Sequence, residues 1–485
     1  MSQADSHRSP QYQRALAALA VSAIALYFAT GLHPIWWMTW VAPVPVLLVA
    51  PRLSGWLAFG VAFLAWAVSS LNMWKYYRAI LEIPMPVVLL AIFGPAVIFA
   101  LAVLAYRGAL RTSAWRAAFV FPMIWVCYEY IFARVSPHST FGNVGYSQMN
   151  FLPIIQVASV TGIWGISFCL FLFAGTLSVL LCRDATVRQK CSLAAVVGVL
   201  LGAVMGFGIW RLNAEWPAKA AVSVGLLASD LPKNILTEEH ADTMRLLREY
   251  AAQAENVAVD GAHVIVIPEK VSIVLDSDLP EVDALFQSIA AKTDSSIVVG
   301  VVHPTTGARW NEAREYSPDG TVRTYEKHHM VPGFESSLTV GTARIEWREP
   351  SRLFGLWAMA ICKDMDFPDL SREYGKDGIG LLLVPAWDFK ADGWLHGRMA
   401  ILRGVESGFS IARSPKEGIL TVSDDRGRVL AQRDSKSAPF ITLLARVPVR
   451  HTQTIYAQFG DWFAWLNIIA LIALIAEGRI RRRLA

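Results

Sequence analysis

Apolar residues dominate the first 213 positions and the last 30; the long segment between them mixes apolar and polar positions on a shorter scale. Apolar runs cover 14–31, 36–50, 55–73, 83–105, 115–133, 151–181, 191–212 and 459–477. Each is near the length that crosses a bilayer as a helix, about 20 residues. Proline or glycine interrupts several, which membrane helices tolerate. The pattern predicts about eight transmembrane helices, with 36–50, short and proline-containing, the least regular. The intervening segment alternates instead. Strands are expected at Ala221–Ala228, His263–Pro268, Ser296–Val302, Thr321–Lys327, Leu356–Ile361, Ile379–Val384, Ile419–Ser423 and Val429–Arg433, with a hairpin turn at Asp425-Arg426-Gly427. Helical spacing appears over Leu236–Asn256, Glu281–Lys292 and Trp394–Ser407. Strands alternating with helices predict a layered α/β domain. Residues 1–213 are thus read as seven membrane helices, 214–456 as an inserted α/β domain, and 457–485 as a last membrane helix with a basic tail.

Composition sharpens this plan. The chain is 54% apolar and only 17% charged, an excess that belongs to the apolar ends. The net charge of +5 is local, with Arg479, Arg481, Arg482 and Arg483 closing the chain. No basic stretch interleaves with aromatics in the insert, which argues against a nucleic-acid partner. With the N-terminus placed in the cytoplasm, Arg8, Arg14, Arg52, Arg107, Arg111, Arg116, Arg183, Arg188, Lys190 and the terminal arginines share one side, against Lys75, Arg78 and Arg134 on the other. This asymmetry follows the positive-inside rule and puts both termini in the cytoplasm and the insert on the opposite face. Cys127, Cys169, Cys182 and Cys191 lie in or beside apolar runs and read as small buried hydrophobes. Cys362 is the insert's sole cysteine, with no partner there for a disulfide or a metal spacing.

Cys362 also ends an apolar run, Leu356 to Ile361, and is followed at once by charge and a turn, the way a strand presents a nucleophile. Two other polar residues sit at strand ends: Glu269 after His263–Pro268, and Lys327 in Tyr325–Pro332. Strand ends of an α/β sheet converge on one site. A thiol needs a base to become a thiolate, a carboxylate in a partly apolar pocket can be that base, and a lysine can stabilise the anion formed when sulfur attacks a carbonyl. Singly, each residue reads more readily as loop, surface or core. Together they make an acyl-transfer set.

Read in order, these blocks resemble the nitrilase (carbon–nitrogen hydrolase) superfamily and, within it, the membrane-bound apolipoprotein N-acyltransferase family. The resemblance rests on Pro268-Glu269; on Tyr325-Glu326-Lys327-His328-His329-Met330-Val331-Pro332; on Glu335; on Ile361-Cys362 followed by Phe367-Pro368, Leu370 and Arg372; and on Trp394, His396, Met399, Arg403 and Glu406. In the apolar half it rests on Trp125, Glu129, Gly145-Tyr146-Ser147-Gln148, Gln156, Gly162 and Gly165. It implies a polytopic membrane domain carrying an inserted αββα sandwich, a Glu269–Lys327–Cys362 triad, and support from Glu335, Lys363, Trp387 and His396. By that resemblance Glu269 would take the thiol proton, the thiolate would attack a phospholipid ester, and Lys327 with a backbone N–H near Lys363 would hold the oxyanion. The thioester then passes to an amine, in the family the N-terminal diacylglyceryl-cysteine of a lipoprotein. On the same resemblance Glu335 would orient Lys327 or else stand as a solvated loop residue, and His328 and His329, with no metal-ligand partner at a recognisable spacing, are read as structural. Trp387, Phe389 and Trp394 either dip into the membrane interface or pack in the core. No metal or cofactor is implied. The partners implied are a phospholipid donor and a lipoprotein acceptor, with a monomer in a bacterial inner membrane and the insert in the periplasm.

Several positions depart from the family pattern. Lys363-Asp364 stands where Tyr-Glu is usual, Gly333-Phe334-Glu335 replaces Phe-Gly-Glu, and Lys270 follows Glu269 where a small neutral residue is common. Ala228-Ser229-Asp230 and Pro385-Ala386-Trp387-Asp388-Phe389 also differ from the family's blocks. The departures surround the triad and leave the acceptor open: a membrane-anchored amidase, or transfer to a different amine, are the alternatives. A transporter with a binding domain is the non-enzymatic one, with Glu129 its sole intramembrane marker.

Overall fold

The computed structural model describes residues 3–182, 185–214, 221–231, 236, 238–348 and 355–484. It divides into two compact units, residues 1–213 with 459–485, and residues 214–458.

Among the described residues of the first unit, six helices are long and apolar enough to cross a membrane: Pro10–Ala29, Gly55–Ile80, Met85–Leu110, Ala114–Val135, Ile163–Leu181 and Val187–Asn213. Three shorter apolar helical stretches, Met38–Arg52, Leu152–Thr161 and Trp462–Gly478, take up the remaining runs. The 36–50 run is not one helix. It breaks into Met38–Val41, Val44–Val49 and a 3-10 turn at Ala50–Arg52, because Pro43, Pro45 and Pro51 each remove a backbone donor. The 151–181 run breaks at Gly162, whose φ of +68° no other residue adopts cheaply. Polar groups inside this unit are tied to one another, as an apolar solvent demands. Trp40 Nε1 donates to Gln148 Oε1 at 2.9 Å, Val144 N–H to Glu129 Oε1 at 2.9 Å, and Trp164 Nε1 to Asp461 Oδ1 at 2.8 Å. Of the four cysteines expected to be buried here, Cys191 is instead exposed, on an outward face of the Val187–Asn213 helix. The side chains of Arg479 and Arg481–Arg483 lie outside the described residues.

The second unit is built on twelve strands: β1 (Ala221–Ala228), β2 (Val264–Val266), β3 (Ser296–Thr305), β4 (Ala308–Tyr316), β5 (Val322–Glu326), β6 (Glu346–Arg348), β7 (Leu356–Met359), β8 (Leu381–Trp387), β9 (Ser410–Lys416), β10 (Ile419–Ser423), β11 (Val429–Asp434) and β12 (Ile441–Pro448). They form two six-stranded sheets, ordered β12-β1-β2-β3-β4-β5 and β11-β10-β9-β8-β7-β6. Within each, three central strands run parallel, β1-β2-β3 and β7-β8-β9, and antiparallel strands extend both edges. Parallel neighbours need crossovers. Helices His240–Val259 and Leu279–Thr293 supply them in the first sheet, Pro368–Asp377 and Gly393–Ser407 in the second.

Side-chain alternation sorts the layers. Val264 and Val266 face a core shared with Trp357, Met359, Leu381 and Leu383 of the other sheet. Ile265, between them, joins Ile297 and Val299 against Leu247, Tyr250, Phe286 and Ile289 of the first pair of helices. Leu370, Tyr374 and Ala400 of the second pair of helices close the shared core from its far side. The result is helix, sheet, sheet, helix, as the αββα expectation has it.

Candidate active site

Strand direction brings the three expected residues together. Glu269 follows β2 and Cys362 follows β7, both central parallel strands of their sheets. Lys327 follows β5, which is two antiparallel steps from β3 and so runs the same way as β2. Close approach is also built in. A Cβ on Gly300 of β3 would lie 2.4 Å from the Pro268 carbonyl oxygen and 2.6 Å from Glu269 Cα, so only glycine lets the Glu269 segment cross there.

The charged centre is buried. Lys327 Nζ donates to Glu269 Oε1 and to Glu335 Oε2, each at 2.7 Å. Asn311 Nδ2 donates to Glu269 Oε1 at 2.7 Å and to Glu335 Oε1 at 3.1 Å. Val331 N–H adds a bond to Glu335 Oε2 at 2.8 Å. Lys270 pairs with Glu335 Oε1 and lies 3.8 Å from Glu269 Oε1. Burial alone would lower the Lys327 ammonium; Glu269, the Cys362 thiol and Glu335 outweigh it and hold it well above the ordinary lysine range. Burial pushes Glu335 up, but Lys327 and Lys270 pull it down to about 2.

Cys362 is not the exposed thiol that a strand-then-bend pattern predicts; it is only 8% exposed. Its φ is +43°, a left-handed conformation that non-glycine residues seldom adopt. Such strain concentrates at functional sites, and here Lys270, Lys390 and Glu417, with φ of +50°, +61° and +51°, share it. Asp364 fixes the bend from within: its Oδ2 accepts from Ile361 N–H at 2.9 Å and Tyr325 Oη at 2.8 Å, its Oδ1 from His329 N–H at 2.9 Å. The Cys362 thiol donates to the Trp387 carbonyl at 3.4 Å. Burial raises the thiol well above its ordinary range and Glu269 adds to this; Lys327 and Arg413 oppose. At neutral pH the sulfur is therefore a thiol, and forming a thiolate requires passing its proton on.

The remaining expected residues take other places. Lys363 Nζ donates to Asp366 Oδ2 at 2.9 Å. Trp387 donates from Nε1 to Glu417 Oε2 at 3.1 Å, with Lys416 Nζ 4.1 Å from its ring centroid. His396 lies 3.3 Å from Asp388 Oδ1 and 3.6 Å from Asp392 Oδ2. Phe389 packs against Phe334 and Trp394 beneath Arg398. His328 and His329 are held in place by N–H bonds to Asp364, His329 stacking on Phe367. Sequence reasoning missed Asn311 and the Arg413–Asp388 pair. Asn311 sits in β4, whose run of charged residues conceals a strand; Arg413 grips Asp388 through both terminal nitrogens, at 2.9 and 2.5 Å.

Asp388, Asp392 and His396 bring three metal-type donor atoms together, but Arg413 already neutralises Asp388. Burial alone would lower His396, yet Asp392 and Asp388 raise it to about 9. The cluster is an ion-pair network. A histidine raised in the fold stabilises it fully below the ordinary value of 6.5, and that contribution is lost as pH rises through about 9. It amounts to about 3 kcal/mol at most. The thermal inactivation midpoint of detergent-solubilised protein is expected to fall across that window, and less steeply in His396→Gln. Equal slopes would remove His396 from the pH dependence.

Residues 22–176 match the family model described as apolipoprotein N-acyltransferase N-terminal domain, and residues 229–414 that described as carbon–nitrogen hydrolase. The apolipoprotein N-acyltransferase of Geobacter metallireducens is 25% identical over 98% of this chain and 96% of its own length. That of Shewanella oneidensis is 26% identical over 88% of this chain and 87% of its own. Among solved structures, an amidase from Nesterenkonia sp. is similar over 51% of this chain and 97% of its own, at 17% identity and a TM-score of 0.41.

Proposed function

We propose that this chain is a member of the apolipoprotein N-acyltransferase family, to which it is similar over nearly its whole length, and from that premise that it moves a fatty acyl chain from a phospholipid, through a thioester on Cys362, to the N-terminal amine of a diacylglyceryl-cysteine lipoprotein. The observation that carries the chemistry is Lys327 bonded at 2.7 Å to both Glu269 and Glu335, with its charge and that of Glu269 acting on a protonated Cys362.

In the first half-reaction the Cys362 proton passes to Glu269 as sulfur attacks the ester carbonyl. The Lys327 ammonium stabilises the oxyanion. The ester C–O bond breaks as the S–C bond is completed, and Glu269 returns its proton to the departing lysophospholipid oxygen. In the second half the acceptor nitrogen attacks the thioester and loses a proton to Glu269. The S–C bond breaks and the thiol is restored. Because burial keeps Cys362 protonated, base and nucleophile act in concert rather than as a standing ion pair. No metal or cofactor enters either half.

A long acyl chain leaves a bilayer at a cost of about 0.8 kcal/mol per methylene, which is the reason to carry this chemistry on a membrane-spanning chain. The loop charges support cytoplasmic termini and a catalytic unit on the opposite, periplasmic face of a bacterial inner membrane. Incubation of full-length protein with phospholipid and a diacylated lipopeptide is expected to yield lysophospholipid and the N-acylated peptide. Release of free fatty acid without the amide would overturn the reading in favour of a membrane-anchored amidase.

A further inference from the structure

Glu335 faces a conflict that its neighbours resolve. Two buried carboxylates, Glu269 and Glu335, share the single ammonium of Lys327, each at 2.7 Å. Buried charge left uncompensated is costly, and a second carboxylate competing for Lys327 draws it away from the atoms on which it has to act. Lys270 supplies the missing charge. It follows Glu269 directly, and its left-handed φ of +50° turns the chain so that its ammonium reaches Glu335 Oε1. A left-handed conformation is unfavourable for a non-glycine residue, a strain that the pairing offsets. With Lys270 in place, two carboxylates and two ammonium groups balance, Asn311 cross-links the carboxylates, and each Glu335 oxygen has its own lysine.

We infer that Lys270 is a positioning residue of this site: it fixes the Glu335 carboxylate and so leaves Lys327 aimed at Glu269 and Cys362. The inference rests on the roles proposed for those three residues. Lys270 does not touch the reacting atoms; it acts through Glu335 and, at 3.8 Å, on Glu269. The other charged groups facing this quartet and the thiol are Lys416 at the end of β9, Arg413 within β9, and Asp388 just after β8. None of these three is bonded to Glu335 among the described contacts.

The sign follows from the charges. Removing a cation that pairs with Glu335 and lies 3.8 Å from Glu269 Oε1 leaves more uncompensated negative charge near the thiol, which burial and the Glu269 charge already keep protonated, so the acid limb of Cys362 reactivity moves to higher pH. The test is the rate at which full-length protein in detergent is alkylated by iodoacetamide at Cys362, read as a function of pH by mass spectrometry of the Cys362 peptide. For Lys270→Met the limb is expected to move up by about one pH unit, read as a roughly tenfold loss of rate at each pH below the limb. Lys270→Arg is expected to restore the parent profile. Should Lys270→Met fail to fold, Lys270→Gln keeps a hydrogen-bond donor without the charge and is expected to show the same displacement. A neutral variant whose limb superimposes on the parent, or an arginine variant displaced as far as the neutral one, overturns the inference. Alkylation needs no acyl donor, so this result stands apart from whether the chain transfers acyl groups.

Discussion

Cys362→Ala is expected to lower N-acylation of a diacylated lipopeptide by roughly 10⁴-fold or more, the scale on which loss of a nucleophile acts when the other groups of a site remain. No thioester can form without the sulfur, so intact-mass analysis should show an acyl adduct on the parent protein incubated with phospholipid and none on the variant. The fold should survive. The side chain is small, its thiol makes one long bond to the Trp387 carbonyl, and the bend around it is fixed by Asp364 rather than by the thiol. Cys362→Ser is expected to be nearly as inactive: a hydroxyl is a poorer nucleophile than a thiol in the same burial. An alanine variant that still acylates the peptide at more than about a hundredth of the parent rate would sink the thioester route.

Lys327→Met is the second large effect, and it separates charge from shape. Methionine fills most of the lysine's volume but leaves Glu269 and Glu335 buried without the cation that bonds both. Activity is expected to fall by about 10³-fold, the scale for losing an oxyanion donor, with the loss in kcat rather than in KM, because the oxyanion exists only in the transition state. Stability should fall too, since breaking a buried pair costs roughly 3–5 kcal/mol. Glu269→Gln tests the other side of the same bond. With Cys362 held as a thiol by burial and by the Glu269 charge itself, the variant has a less strongly opposed thiolate but no base to make one. If proton removal limits the reaction, activity falls by about 10²–10⁴-fold. A variant faster than the parent would mean that Glu269 acts only as a charge to be overcome.

Much of the α/β unit was legible because its strands are buried on both faces and read as continuous apolar runs: Ala221–Ala228 and Ile419–Ser423 coincide with β1 and β10 end for end. Of the strands left unread, β4, β6, β9 and β12, two have compositions that argue against them. β4, Ala308–Tyr316, carries Arg309, Glu312, Arg314 and Glu315, yet Glu312, Arg314 and Glu315 are buried and paired, with Asp283, Arg323 and one another. β9 holds Arg413, Pro415 and Lys416 in one buried strand. A buried charge is tolerated only when its partner is in place, and the partners lie up to about 30 residues away in the chain, which no local pattern displays. Asn311 was lost for the same reason.

What the amino-acid order determined by itself is local and periodic. It set where bilayer-length apolar runs lie, where strands and helices alternate, and which polar residues follow a strand: Glu269, Lys327 and Cys362. These are consequences of chain periodicity and side-chain chemistry, available without a fold. Only the tertiary structure decided how those residues meet: that β5 returns parallel to β2, that Gly300 lets the Glu269 segment cross β3, and that Lys270 turns back onto Glu335. It also decided that Cys362 is buried and that Lys363 pairs with Asp366. Charge and burial act through distance, and distances between residues far apart in sequence exist only once the two sheets have packed.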